Sequence, residues 1–264
     1  MKKTTLHKSN NIIRGGDNLS VFGKRLINAI YHVIQTNVND GNQNTIEDIE
    51  YIPLEFQYLR KIMNLSNVDS YSLEIEKAIT ELQQPIAINN FKDPRDGNVH
   101  KWFSVCIISE ASFKIDRNKK VAHVALSPII KWMMINTNDG NFTKIELIPI
   151  INRLRTKYSI KLYEYIKSFG GYKYIDITQN HMLKILGIPI DNKSYTNFAQ
   201  IKRLLDRQIE EITKKSDLKE IRIDESKELR KDKVFRIHIN KKSKKISKKL
   251  VNKTVKELAE MKRI

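Results

Sequence analysis

Residues 194–212 read SYTNFAQIKRLLDRQIEEI. At ~100° per residue, Phe198, Ile201, Leu205, Ile209 and Ile212 fall on one face of a helix, and Thr196, Gln200, Arg203 and Arg207 fall on the other. The apolar face predicts packing against a core. The second face has no carboxylate over its first three turns, and its amide and guanidinium groups, with Asn197 beside them, suit bidentate hydrogen bonds to base edges. An arginine stripe is in most proteins a solvated face, so the rest of the chain has to decide. Asp206 and Glu210 flank the stripe at spacings that would hold Arg203 and Arg207 in i,i+3 or i,i+4 pairs.

Charge is placed unevenly around this helix. Residues 1–150 hold 18 basic and 16 acidic side chains, and residues 151–264 hold 30 and 14, so nearly all of the formal +18 lies in the second half. A bias of that size points to a polyanion: DNA, RNA or an anionic membrane surface. No run approaches the ~18 apolar residues of a membrane span, and MKKTTLHKSNN lacks a signal peptide's apolar core, so a soluble, cytoplasmic protein without a membrane partner is expected. Cys106, the single cysteine, lies in the apolar run WFSVCII and reads as a core residue in a reducing compartment.

Element order narrows the choice. Asp17 or Asn18 is placed to cap a helix with Leu19, Phe22, Leu26, Ile30 and Val33 at helical spacing. IEYIPLEF reads as a strand, QYLRKIM as a short helix, and SYSLEIEKAITELQQP as a helix with Ile75, Ala78, Ile79 and Leu82 buried, ended by Pro85. The β-rich runs IAINNF, WFSVCIISEASFKI and VAHVALS follow, the last two joined at DRNKK as one hairpin. The second half repeats the plan with the helix YSIKLYEYIKSF, the strand KYIDIT, the short helix QNHMLKIL, the opening helix, and the strands LKEIRID and VFRIHI. The expected fold is therefore α+β, two tandem winged-helix domains related by a pseudo-repeat. Residues 1–17 form an N-terminal arm, 18–140 and 141–240 the two winged helices, and 241–264 a basic tail. Phe142–Arg155 reads as a helix bridging the two, after a linker near Asn136–Lys144.

The two third helices differ. Opposite its core, the first carries Glu74, Glu76, Lys77 and Glu81, which phosphates lining a groove would repel, so only the C-terminal one is expected to read bases. Backbone contacts are expected from the wings and tail: Arg117, Lys119 and Lys120 in the first hairpin turn, then Lys193, Lys231, Lys233, Lys248 and Lys249. Tyr163 and Tyr165 read as core residues, and His181 and His238 as packing or surface residues.

The run RTKYSIKLYEYIKSFGGYKYIDITQNHMLKILGI, then SYTNFAQIKRLLDRQIEEITKKSDLKEIRI and VFRIHI, resembles the C-terminal winged helix of theta-type plasmid replication initiators, the Rep proteins that bind iterons. NLSVFGKRLINAIYHVI, IPLEFQYLRKIMNL, SYSLEIEKAITELQQPIAI, ISEASFKID and VAHVALSPIIKWM are similar to that family's first winged helix, so the resemblance spans roughly residues 18–240. It implies binding to direct repeats in double-stranded origin DNA and opening of adjacent AT-rich DNA. It also implies recruitment of the host initiator, helicase loader and helicase, with monomers on iterons and a homodimer repressing its own gene. The first winged helix is then a backbone clamp in one state and a dimer surface in the other. The family's recognition-helix role falls on Thr196, Gln200, Arg203 and Arg207.

Enzymatic readings find little support. Rolling-circle initiators cleave DNA with a tyrosine beside a metal held by a His-hydrophobic-His pair, and the six histidines include no such pair. None of the nine glycines supplies a G-x-x-x-x-G-K-[ST] phosphate cradle. No catalytic residue, metal or cofactor is expected. A winged-helix repressor that does not open DNA is the rival reading, with a metal-dependent nicking enzyme behind it.

Overall fold

The computed structural model describes residues 5–40, 50–63, 71–116, 119–137, 141–147, 149–195, 197–229 and 232–239. Two short elements, β1 (Thr5–Ser9) and α1 (Asn10–Arg14), precede α2 (Val21–Asn39). Helix α2 starts at Ser20, whose extended backbone lets its hydroxyl accept the Gly23 N–H and satisfy one of the donors a helix start leaves unpaired. Behind it, the Ser20 N–H donates to Glu81 Oε2 at 2.9 Å. Gly23 permits this approach, since a Cβ there would lie 2.5 Å from the same oxygen. Glu81, expected on the solvent face of its helix, thus serves the start of another.

The strand β2 (Ile52–Glu55) runs directly into α3 (Phe56–Met63), and α4 (Tyr71–Leu82) buries Ile75, Ala78, Ile79 and Leu82 as their spacing requires. Pro85 lies beyond the end of α4 and opens β3 (Pro85–Lys92), which pairs antiparallel with β4 (Val99–Cys106). A second hairpin, β5 (Ile108–Asp116) with β6 (Lys119–Leu126), takes β2 at its β6 edge, giving the order β2-β6-β5. WFSVCIISEASFKI is therefore two strands and the single expected hairpin is two. Ile107 divides them because its backbone is engaged elsewhere: its N–H donates to Leu82 O and its carbonyl accepts from Ser127 N–H. Helix α5 (Pro128–Ile135) closes this half, with proline at its first turn where a missing N–H costs nothing.

The stretch expected to be a bridging helix is instead β7 (Phe142–Glu146) and a π-helical turn, Pro149–Arg153. Its alternation of outward and inward residues, with Thr143 and Ile145 buried, suits a strand, and its partner is β1, from Thr5↔Glu146 to Ser9↔Phe142. Helix α6 (Lys157–Lys167) opens on a capping box between Thr156 and Ser159. Next come β8 (Tyr174–Thr178), α7 (Gln179–Leu186), a 3₁₀ turn at Lys193–Tyr195, α8 (Phe198–Lys215), β9 (Ile221–Leu229) and β10 (Asp232–Ile239). Thr178 caps the start of α7, and Gly187 ends it at φ +66°, a left-handed conformation suited to glycine. The sheet order is β8-β10-β9. The second half thus runs helix, strand, helix, helix, hairpin, whereas the first follows its third helix with two hairpins and a closing helix; β6 and β10 are each central in a three-stranded sheet, and the chain is α+β of winged-helix type.

Two apolar cores result. One gathers α2, α3, α4, α5 and the first sheet; the other gathers α6, α7, α8 and the second. The segment expected as an arm is shared between them: Leu6 and Ile12 belong to the first core and Ile13 to the second, while Ile145 and Leu147 divide in the opposite sense. No helix among the described residues is long and apolar enough to cross a membrane.

Candidate nucleic-acid interface

Helix α8 begins at Asn197, whose side chain accepts the Gln200 N–H at 2.9 Å while Gln200 Oε1 accepts the Asn197 N–H at 3.4 Å. This reciprocal capping box satisfies two donors at the helix start and is worth ~1 kcal/mol. Its apolar face is buried as the spacing predicts, with Phe198, Ile201, Leu205, Ile209 and Ile212 all inside. Fully burying side chains of this kind contributes ~1.5–3 kcal/mol each, an upper estimate for a chain already partly collapsed when unfolded.

On the opposite face the structure brings Asn197, Gln200, Arg203 and Arg207 together and assigns them different duties. Asn197 and Gln200 are committed to the cap. Arg203 and Arg207 are exposed. The carboxylates expected to hold the arginines are taken by lysines: Asp206 pairs with Lys202 at 2.7 Å and Glu210 with Lys214 at 2.5 Å. The i,i+4 lysine–carboxylate spacing competes for the same acids, and the two guanidinium groups form no ion pair or hydrogen bond among the described residues. Thr196 lies outside the described residues.

The β9–β10 hairpin stands beside this helix. Phe198, the first residue of α8, stacks on Phe235 of β10 with centroids 4.1 Å apart and planes at 9°. Lys233 is exposed and its Nζ lies over the Phe198 ring, 5.6 Å from the centroid. Lys193 is exposed in the 3₁₀ turn leading to α8. On the outer face of the sheet, Arg236 grips Asp176 through Nε at 2.7 Å and Nη2 at 2.6 Å, and His238 reaches Asp224 at 3.1 Å. Tyr163 is core, as expected, with its hydroxyl donating to Asp217 at 2.8 Å; burial and that carboxylate push its pKa up. Tyr165 is buried too, and its pKa is pushed up to about 12 by burial.

In the first half the corresponding helix face is sparser. Glu74 pairs with Lys77 at 3.5 Å, and Leu73 is exposed. Lys120 Nζ donates to Ser72 Oγ at 3.3 Å, tying the wing stem to the start of α4. Lys119 opens β6, whereas Arg117, Lys231, Lys248 and Lys249 lie outside the described residues.

Sequence reasoning missed what fixes the two halves to each other. A chain of buried polar side chains crosses the seam. Lys8 Nζ donates to Glu164 Oε1 at 2.8 Å, and Asn28 Nδ2 donates to the same oxygen at 3.0 Å. Asp17 sits between Lys24, which it contacts through Oδ1, and Lys161, at 2.7 Å from Oδ2. Lys161 Nζ also donates to Gly15 O at 2.6 Å. Burial alone would raise the Asp17 pKa, but the Lys161 and Lys24 charges and their hydrogen bonds override it and hold the carboxyl far below the usual range. Burial, with Lys161 alongside, pulls Lys24 down to about 8 against the attraction of Asp17. Beside this network the backbones touch: a Cβ at Gly187 would lie 2.2 Å from Asp17 O, and one at Gly16 would lie 2.8 Å from Lys184 O. The only sequence signal was glycine itself, at Gly15, Gly16 and Gly187.

Residues 5–167 match a family described as initiator replication protein, WH1. Among solved structures, a Pi initiator protein in complex with iteron DNA superposes at a TM-score of 0.66 with 18% identity, covering 91% of this chain and 99% of that one. A structure of domains 2 and 3 of RctB superposes at 0.50 with 8% identity, covering 83% and 81%. No curated protein matches the sequence. The family match takes in the whole first half and the seam, the structural likeness extends the fold through the second wing, and the chain is a member of the initiator replication protein family.

Proposed function

We propose that this protein initiates plasmid replication by binding direct repeats in double-stranded origin DNA. In this reading α8 enters the major groove, Arg203 and Arg207 read bases, and Lys193 and Lys233 rest on backbone phosphates with Arg117, Lys119, Lys120, Lys231, Lys248 and Lys249. The observation that carries it is the pair of exposed arginines with no ion pair or hydrogen bond among the described residues, on a capped helix beside a wing, in the half of the chain that holds the excess positive charge. In the same reading Thr196, Asn197 and Gln200 join the arginines in contacting bases, with Asn197 and Gln200 also holding the helix end. The Pi initiator seen with iteron DNA shares this fold.

The same reading treats residues 18–140 and 141–240 as two winged helices of one plan, the first a backbone clamp or dimer surface, and 241–264 as a basic tail. Opening of AT-rich DNA, recruitment of host initiator, helicase loader and helicase, and autorepression by a dimer follow from the family resemblance.

The test is fluorescence-anisotropy binding to short duplexes tiled across the DNA flanking its gene, with shuffled controls at two salt concentrations. Preference for a repeated element that survives the higher salt supports the reading. Equal binding everywhere refutes it. Permanganate footprinting of the adjacent AT-rich tract separates an initiator, which opens it, from a repressor, which does not.

A further inference from the structure

The last strand of each winged helix begins in the same register. Val121 of β6 pairs with Glu55, the final residue of β2, and Val234 of β10 pairs with Thr178, the final residue of β8. Lys120 and Lys233, one residue earlier in each strand, are therefore topological equivalents. Each reaches the first turn of a third helix, Lys120 that of α4 and Lys233 that of α8, but by different chemistry. Lys120 meets a hydroxyl, Ser72 Oγ at 3.3 Å. Lys233 lies over an aromatic ring, Phe198, which is buried and stacked on Phe235. The residue equivalent to Phe235 in the first half is Ala122, which offers no ring to stack on.

The second half thus adds a rigid aromatic pair at the point where wing and helix meet. A ring stacked within about 4.1 Å of its neighbour cannot tilt without losing that contact, so Phe198 transmits the position of α8 to β10. A lysine over a ring face is attracted by its quadrupole, which lowers the freedom its four-carbon stem gives up when the ammonium meets a phosphate.

We propose that Phe198 is a positioning residue. It holds Lys233 aimed along the DNA-facing side of the wing, so that seating α8 in the groove and placing Lys233 on a phosphate are one step. The proposal rests on the DNA-binding reading above.

The experiment is the salt dependence of binding to the preferred duplex for wild type, Phe198→Leu, Phe198→Tyr, Lys233→Ala and Phe198→Leu/Lys233→Ala, with a thermal melt of each. One lost phosphate contact lowers the magnitude of the salt slope by about 0.9, so a fourfold rise in salt should weaken wild type about 3.5-fold more than Lys233→Ala. Phe198→Leu should lose that same slope, the double variant should lose no more, and Phe198→Tyr should restore it. If Phe198→Leu keeps the wild-type slope, or if Lys233→Ala lowers it further in the leucine background, Phe198 is a core residue only and the proposal is overturned. Failure of wild type to prefer any duplex would instead overturn the DNA-binding reading, a result separate from any variant.

Discussion

Replacing Asp17 with asparagine should destabilise the seam severely and leave a pH signature that identifies the cause. In the native seam three ammonium groups, Lys8, Lys24 and Lys161, meet two carboxylates, Asp17 and Glu164. Asp17→Asn removes the acid that touches two of those lysines, leaving Glu164 alone against three cations. Breaking a buried pair by removing one partner costs ~3–5 kcal/mol. A ceiling comes from Lys24: the seam can shed the excess charge by releasing its proton. From an unfolded value of ~10.4, being neutral at pH 7 costs ~3.4 units of ~1.36 kcal/mol, or ~4.6 kcal/mol. The expected loss is thus ~3–4.6 kcal/mol, a large share of the ~5–15 kcal/mol typical of a folded protein. In wild type the Lys24 value of about 8 lies below its unfolded one, so the native state holds fewer protons and this group's contribution rises with pH from about 8 to ~10.4. The variant should begin that rise below pH 7. Toward acid the order reverses, because the depressed Asp17 carboxyl contributes stability above ~3.9 that is lost as pH falls, and the variant has none of it to lose. Urea denaturation followed by circular dichroism from about pH 2 to about pH 10.5, a window that spans both transitions, is the assay, with Asp17→Asn/Lys161→Met as the companion that restores the net charge of the seam. A loss under ~0.5 kcal/mol with an unchanged pH profile would refute the reasoning, since that is the range of an ordinary surface substitution.

Arg203→Ala and Arg207→Ala should each weaken binding to the preferred duplex by ~1–3 kcal/mol, with little change in binding to shuffled DNA or in the melting temperature, measured by anisotropy and calorimetry. Lys248→Ala should weaken both duplexes alike, and Glu76→Ala should leave sequence preference intact. Asn197→Ala removes the capping box and should cost ~1 kcal/mol in urea denaturation while also reducing specific affinity, because Asn197 and Gln200 lose their fixed places at the start of the helix. Gly187→Ala combines a left-handed backbone with a clash against Asp17 O. It should therefore cost more than the ~1–2 kcal/mol of the conformation alone, and an equal or higher denaturation midpoint would contradict the seam geometry.

Much of the fold could be read from periodicity because its determinants are local. The stripe from Phe198 to Ile212, the stripe from Ile75 to Leu82 and the alternation in VFRIHI each state their element and buried face within a few residues. What escaped depends on distant partners. The strand break at Ile107 is made by the Leu82 carbonyl and the Ser127 amide, both more than 18 residues away, and nothing in WFSVCIISEASFKI marks it. Phe142–Arg155 has enough apolar residues for a helix, but pairing with β1 decides for a strand. Lys8, Lys24 and Lys161 look like solvated charges in sequence, and only the carboxylates brought to them by the fold make their burial affordable. The candidate interface was legible in its residue types. The competition for Asp206 and Glu210 was legible too, since Lys202 and Lys214 stand four residues from them. The duties of Asn197 and Gln200 at the cap show only in three dimensions.

The pairing of β1 with β7 sets an order on how the chain acquires its shape. Lys8 and Thr143 are register partners 135 residues apart, so the first strand has no neighbour until the other has been made. At ~5–20 residues per second a ribosome needs ~7–27 s to supply it. For that interval Thr5–Ser9 lacks the strand it pairs with, while α2 and the first sheet are made before the interval ends. Closing the clasp late brings Lys8 to Glu164 and the two halves into contact together. A tag or fusion set ahead of Thr5 therefore adjoins the strand that has to wait for β7 before it can pair.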